Sequence, residues 1–262
     1  MRFLKVFITI YSARLGKDFS LPVSTQIFML LGSLCYFFLH YVGFRLILQR
    51  FTFPGWTIGQ SWVLMFTFEI FTYLAFYLFW NGLNRTVQDI NTGRFDMIVS
   101  KPISSMFITF FRGGGFHNLF CATLGLFFLI ITLISNNLSV SFVSWILFLG
   151  SLLTSLWVFF CFAVCFISLN FKYGRLSSTP TIAFQIQEVY KYPSTLYQLS
   201  PIAYSLLPIA LSLFTTLPAA VLISKPLPVY YYLTYFTFLV LITFLSRHLW
   251  RWGLSHYSSA SS

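Results

Sequence analysis

Residues 60–80 read QSWVLMFTFEIFTYLAFYLFW, a run from Gln60 to Trp80 in which Glu69 is the sole charge. A stretch of about 20 predominantly apolar residues has the length of a membrane-crossing helix. Working outward, similar runs lie at 22–44, 114–135, 141–168, 196–223 and 229–247. These predict an all-α polytopic membrane protein with six transmembrane helices in a single membrane domain over 1–262. The fifth run is interrupted by Pro201, Pro208 and Pro218, so it reads as a span followed by a short re-entrant piece, because broken backbone at membrane depth must be covered by protein or water.

Composition agrees with the periodicity. Hydrophobic residues make up 58% of the 262 and charged residues 8%, too few charges to clothe a soluble globule. The net charge of +11 would suit nucleic acid in a soluble domain, but here the basic residues sit in short clusters between apolar runs. No aromatic-interleaved basic face exists, and no nucleic-acid partner is expected. Placing the amino terminus inside puts Arg2, Lys5, Arg14, Lys17, Arg85, Arg94, Lys101, Arg112, Lys172, Arg175, Lys191, Arg247 and Arg251 in the cytoplasm, with Arg45, Arg50 and Lys225 outside. That bias fixes both termini as cytoplasmic for six spans. Asp18, Asp89, Asp96 and Glu188 are cytoplasmic in the same scheme.

Ahead of the first span, Phe3, Leu4, Phe7, Ile8, Tyr11, Leu15 and Phe19 share one helical face and the polar residues the other. Residues 1–20 are therefore expected to form an amphipathic helix lying in the interface. Cys35, Cys121, Cys161 and Cys165 all fall within apolar runs, where neither a disulfide nor a metal cage is expected.

Chemistry-bearing motifs are few. There is no phosphate-binding G-x-x-x-x-G-K-[ST], no H-E-x-x-H and no G-x-S-x-G, so no ATP hydrolysis is expected of this chain. The run Gly113-Gly114-Gly115 lacks the Lys and Ser or Thr of a phosphate cradle and reads as a flexible approach to the third span. His40, His117, His248 and His256 are scattered near the ends of spans and read as local hydrogen-bonding residues. Glu69 is costly where it stands and must face protein or water. Two readings stay open for it: substrate pathway or permease pairing, or a structural carboxyl bonded to a neighbouring Thr, Tyr or backbone group.

The longest polar stretch runs from Asn81 to Arg112. Its punctuation predicts a short helix ending at Gly93, a turn, and a second element stopped at Lys101-Pro102. Asn84, Ile90, Gly93, Phe95-Asp96 and Lys101-Pro102 resemble the signature between spans two and three of the permease subunits of ABC-2 type exporters. Trp252-Gly253-Leu254 with Tyr257-Ser258-Ser259-Ala260-Ser261 resembles the tail of one branch, the small stand-alone permeases encoded beside a separate ATPase, although Ser255 and His256 replace its basic pair. Gly55-Trp56-Thr57-Ile58-Gly59, Tyr192-Pro193 and Leu217-Pro218-Ala219-Ala220 add to the match, which covers nearly the whole chain.

The resemblance implies a multi-pass permease of the bacterial plasma (inner) membrane. It implies a second permease, identical or homologous, and a separate ABC ATPase subunit that binds the ATP and Mg. It also implies outward transport, this chain supplying half the pathway. Asn84, Arg85, Asp89, Gly93, Arg94, Phe95, Asp96, Lys101 and Pro102 would form the ATPase-coupling element. In that reading Asp89, Arg94 and Asp96 supply rim charge, and Phe95, Met97 and Ile98 supply apolar anchors. A membrane-embedded lipid-modifying enzyme would need a His, Asp or metal cluster. A secondary carrier would show inverted repeats. The sequence displays neither.

Overall fold

The computed structural model describes residues 16, 20–112, 114–173, 185–199 and 206–257. The expected interfacial helix falls largely on 1–15 and 17–19, and the Tyr257-to-Ser261 tail match on 258–261; both lie outside the described residues, as do Pro201 and Arg175. Every described regular element is helical. Five helices are long and apolar enough to cross a membrane: α1 (Val23–Arg50), α2 (Ile58–Asn91), α5 (Phe116–Ser135), α6 (Phe142–Tyr173) and α9 (Val229–Ser255). Between them lie α3 (Asp96–Val99), α4 (Ser105–Phe111), α7 (Gln187–Tyr190), a 3-10 turn at Ser194–Leu199, and α8 (Leu206–Leu222).

The helices begin where the sequence supplies caps. Thr57 and Gln60 form a reciprocal capping box at the start of α2, and Ser141 Oγ accepts from Ser144 N at 3.0 Å ahead of α6. Such caps satisfy backbone donors that the first turn leaves open. The second span does not stop at Trp80 as the sequence predicts. It passes through a π turn at Phe76–Trp80 and continues to Asn91 without a break. Its polar last stretch keeps the helical hydrogen bonding and gains tertiary support from α4 and α6.

α2 is the central element, with nearly every residue from Val63 to Tyr73 buried. α5 packs against it closely because Gly125 carries no side chain: a Cβ there would stand 3.2 Å from Ile70 Cγ1. α6 and α9 are tied by hydrogen bonds at membrane depth, with the Tyr235 hydroxyl 2.9 Å from both Thr154 Oγ1 and Ser155 Oγ. Trp157 Nε1 donates to Thr243 Oγ1 at 3.2 Å. Interhelical bonds of this kind hold spans that gain little from apolar contact, since lipid tails are equally apolar.

The expected fifth span differs most from the sequence reading. α8 has 17 residues, short of the length that crosses a bilayer squarely, and it carries Pro218 inside. Its described side chains from Ile209 to Ala220 are buried.

Candidate functional site

Two regions collect the polar groups of this apolar chain. The first is the hairpin beyond the end of the second span. α2 ends at Asn91 and the chain turns at Gly93, whose φ of 73° lies in the left-handed region that glycine adopts without strain. Phe95 N then donates to Asp89 O at 3.1 Å, closing the turn back onto the helix. Asp89 is buried and draws in two cations, with Arg112 Nη1 at 2.6 Å and Arg94 Nε at 3.6 Å. A carboxylate held this way crosslinks the end of α2 to the end of α4.

Phe95 and Ile98, expected as apolar anchors for a partner, are turned inward. Phe95 is fully buried, its ring 5.1 Å from Phe171, 5.6 Å from Tyr257 and 6.2 Å from Trp250. The reason is local: α3 is a single turn, so its alternate apolar residues can be satisfied only by the chain's own α6 and α9. Trp250 Nε1 donates to Ser105 Oγ at 3.0 Å, binding α9 to the start of α4. Gly253 permits this approach, because a Cβ there would meet Phe171 Cδ2 at 2.6 Å. Burial pushes the Tyr257 hydroxyl up to about 12, with the Asp96 carboxylate beside it. What the hairpin shows to solvent is Arg94, Asp96, Met97, Val99, Ser100, Lys101 and Pro102. Met97 and Val99 are 63% and 49% exposed. Asn84 and Arg85 lie one to two turns back along α2 and line a cleft beside α1 instead.

The second region is at mid-span. Counting from Ile58 to Trp80 at about 1.5 Å per residue places Glu69 near the middle of the apolar layer. Its Oε1 lies 2.9 Å from His40 Nδ1 on α1, and its Oε2 has no hydrogen-bond partner. His40 was expected near a span end as a local hydrogen-bonding residue. Because α1 runs on to Arg50 rather than stopping near 44, His40 lies well inside the helix and is buried. Tyr36 stacks on it at 4.1 Å between ring centroids. One turn further along α2, the Tyr73 hydroxyl donates to Ser33 O at 2.6 Å.

The stretch 187–199 joins this layer. Sequence charge counting treats Glu188 and Lys191 as loop charges beyond the membrane. The structure instead packs Tyr190 between Phe71 at 5.2 Å, Phe159 at 5.6 Å, Phe68 at 5.8 Å and Phe214 at 5.9 Å. Thr215 Oγ1 donates to Tyr190 O, Ser194 N donates to Thr216 Oγ1 at 3.1 Å, and Thr195 Oγ1 donates to Pro54 O at 2.9 Å. These contacts run from the middle of α2 to the loop before it. Lys191 Nζ stands 3.6 Å from Glu188 Oε2, whose side chain is 58% exposed. No sequence signal separates such an inserted segment from a charged loop, apart from the aromatic flanks of the Glu-x-x-Lys pair.

Among the described residues no group of three or more His, Cys, Asp or Glu is arranged to hold a metal.

A family model described as "ABC-2 family transporter protein" matches residues 34–261. The chain belongs to that family, and is thus a multi-pass membrane permease component of an ABC transporter and a transporter subunit rather than an enzyme. Permeases of this family work with an ABC ATPase partner. Comparison with curated proteins and with solved structures returned no match.

Proposed function

We propose that this chain is half of the pathway of an ATP-driven exporter and that its hairpin at 94–102 receives the push of a separate ATPase subunit, which binds the ATP and Mg. The observation that carries this reading is the two-sidedness of the hairpin. Phe95 and Ile98 key it into α6 and α9, while Met97 and Val99 stand exposed on its outer edge with Arg94 and Lys101 alongside. Force applied at that edge passes directly into spans α2, α6 and α9 through packed rings. Apolar side chains ringed by charge are what a short docking element needs.

The charge bias supports a cytoplasmic hairpin and cytoplasmic termini, in a bacterial plasma membrane. A second permease, identical or homologous, completes the pathway. Glu188 supports that view: an exposed carboxylate beside Tyr190, near mid-layer, is costly against lipid and calls for water or a second subunit. Glu69 and His40 lie in the same layer.

Co-purification of the neighbouring ATPase with permease variants tests the docking role. Met97→Asp combined with Val99→Asp is expected to abolish ATPase capture and transport while the permease remains folded. Undiminished capture and transport by that variant would overturn the assignment.

A further inference from the structure

We propose that the cleft between α1, α2 and α5 is a binding site for an anionic amphiphile, with its headgroup on Arg85, Asn84 and Gln88 and its hydrocarbon chain lying against Met29, Gly32 and Phe76. The cleft holds about 750 Å³ and reaches from the polar end of α2 to Tyr36 and Tyr73, a volume in the range of small-molecule sites.

Three observations carry the assignment. First, the polar end offers donors and no acid: Asn81, Asn84, Arg85, Gln88, His117 and Asn118 line it, and no carboxylate does. Second, Arg85 has no ion-pair partner among the described residues, whereas its neighbours Arg94 and Arg112 share Asp89. The side chains of Asn84 and Gln88 likewise make no hydrogen bond there, and with Arg85 they fall on successive turns of one helix face. The amides of Asn81 and Asn118 are committed to Gly114 O, which fixes the floor beneath those free donors.

Third, the two ends of the cleft match the two ends of an amphiphile. Asn84 to Gln88 lie beyond the apolar run of α2, at headgroup level, while Met29, Gly32 and Phe76 lie within it. A guanidinium with amide donors selects phosphate or carboxylate oxygens. The apolar wall behind them favours a headgroup that carries a chain over a free anion. Gly32 leaves the chain its room: a Cβ built there meets nothing within 4 Å.

Binding at this site requires no ATPase. That the bound molecule is cargo entering from the inner leaflet rests on the exporter reading, so binding is measured on the permease alone and the two ideas fail separately.

The test uses the full chain in phosphatidylcholine nanodiscs, with dansyl-undecanoate as the fluorescent probe. Saturable binding is expected, displaced by dodecyl phosphate and not by inorganic phosphate or dodecyltrimethylammonium. Arg85→Ala is expected to weaken the probe about tenfold or more, the loss of one charge-assisted contact. Arg45→Ala, an exposed arginine remote from the cleft, leaves it unchanged. Gln88→Ala, at an exposed helical position, is expected to weaken it about threefold, and Gly32→Leu to block it by filling the apolar end. Absence of saturable binding, equal displacement by the cationic amphiphile, or equal loss in the Arg45 and Arg85 variants overturns the proposal. Displacement by inorganic phosphate as effective as that by dodecyl phosphate overturns the amphiphile in favour of a plain anion site.

Discussion

Glu69 on α2 and His40 on α1 meet at 2.9 Å across two spans, in a layer otherwise built from aromatic rings. The pair staples α1 to α2, and α1 has few other buried contacts: only Phe37, His40, Phe44 and Leu48 of its residues are buried. His40→Ala strips the one partner from a carboxyl that cannot reach water, and should cost about 1–3 kcal/mol. Glu69→Gln keeps a hydrogen-bonding group of the same shape and should cost less. Thermal unfolding of the detergent-solubilised variants measures both, and an equal loss in the two would show that charge rather than the hydrogen bond holds the staple.

The hairpin's two faces are expected to answer differently. Phe95→Ala opens a cavity among Phe171, Trp250 and Tyr257 and should cost about 3–5 kcal/mol of local stability. Met97→Asp changes an exposed edge and should stay within about 0.5 kcal/mol. Limited proteolysis between residues 91 and 102 should rise for the first and not for the second, while ATPase capture falls for both.

Asp89 is the node on which Arg94 and Arg112 converge. Asp89→Ala leaves the part-buried Arg112 without its partner and should loosen α4 from α2 by about 1.5–3 kcal/mol. Hydrogen exchange over Ser105–Phe111 reads this directly. Arg94→Ala, whose side chain is 60% exposed, should have little effect in the same measurement.

Tyr257 links the chain's end to the hairpin and titrates late. Its hydroxyl is pushed from 10.0 up to about 12 by burial, with Asp96 beside it. The folded chain therefore holds the neutral phenol more tightly than the unfolded chain does. The stability this contributes is complete below pH 10.0 and is lost as pH rises to about 12. Carboxypeptidase digestion of the tail should accelerate across that window, and Tyr257→Phe should remove the pH dependence.

Much of the architecture was legible because a bilayer imposes long apolar runs. The five long helices lie where such runs stand, and the turn at Gly93 lies where the glycine stands. The rest depends on distance in sequence. His40 reaches Glu69 across 29 positions, which no local pattern encodes, and the true length of α1 is hidden because Arg45 and Arg50 read as loop charges. Phe95 read as a partner's anchor because periodicity tells that a residue is apolar and not which surface it meets. The stretch around Tyr190 misled charge counting for a related reason: Glu188 and Lys191 compensate one another three residues apart, so their formal charges say little about depth. Asn84 and Arg85 were grouped with the coupling loop by proximity in sequence, whereas the helix carries them round to the cleft.

The π turn at Phe76–Trp80 sets the phase of everything below it. Such a turn accommodates one residue more than an α turn, and each residue of an α-helix advances it by about 100°. Deleting one residue there would restore regular winding and swing the polar extension by roughly that angle. Arg85 would leave the cleft and Asp89 would leave Arg112 together, with no apolar contact above altered. The wide turn thus works as an angular spacer: it lets the buried half of α2 be dictated by its neighbours in the bilayer while the half outside keeps an independent bearing.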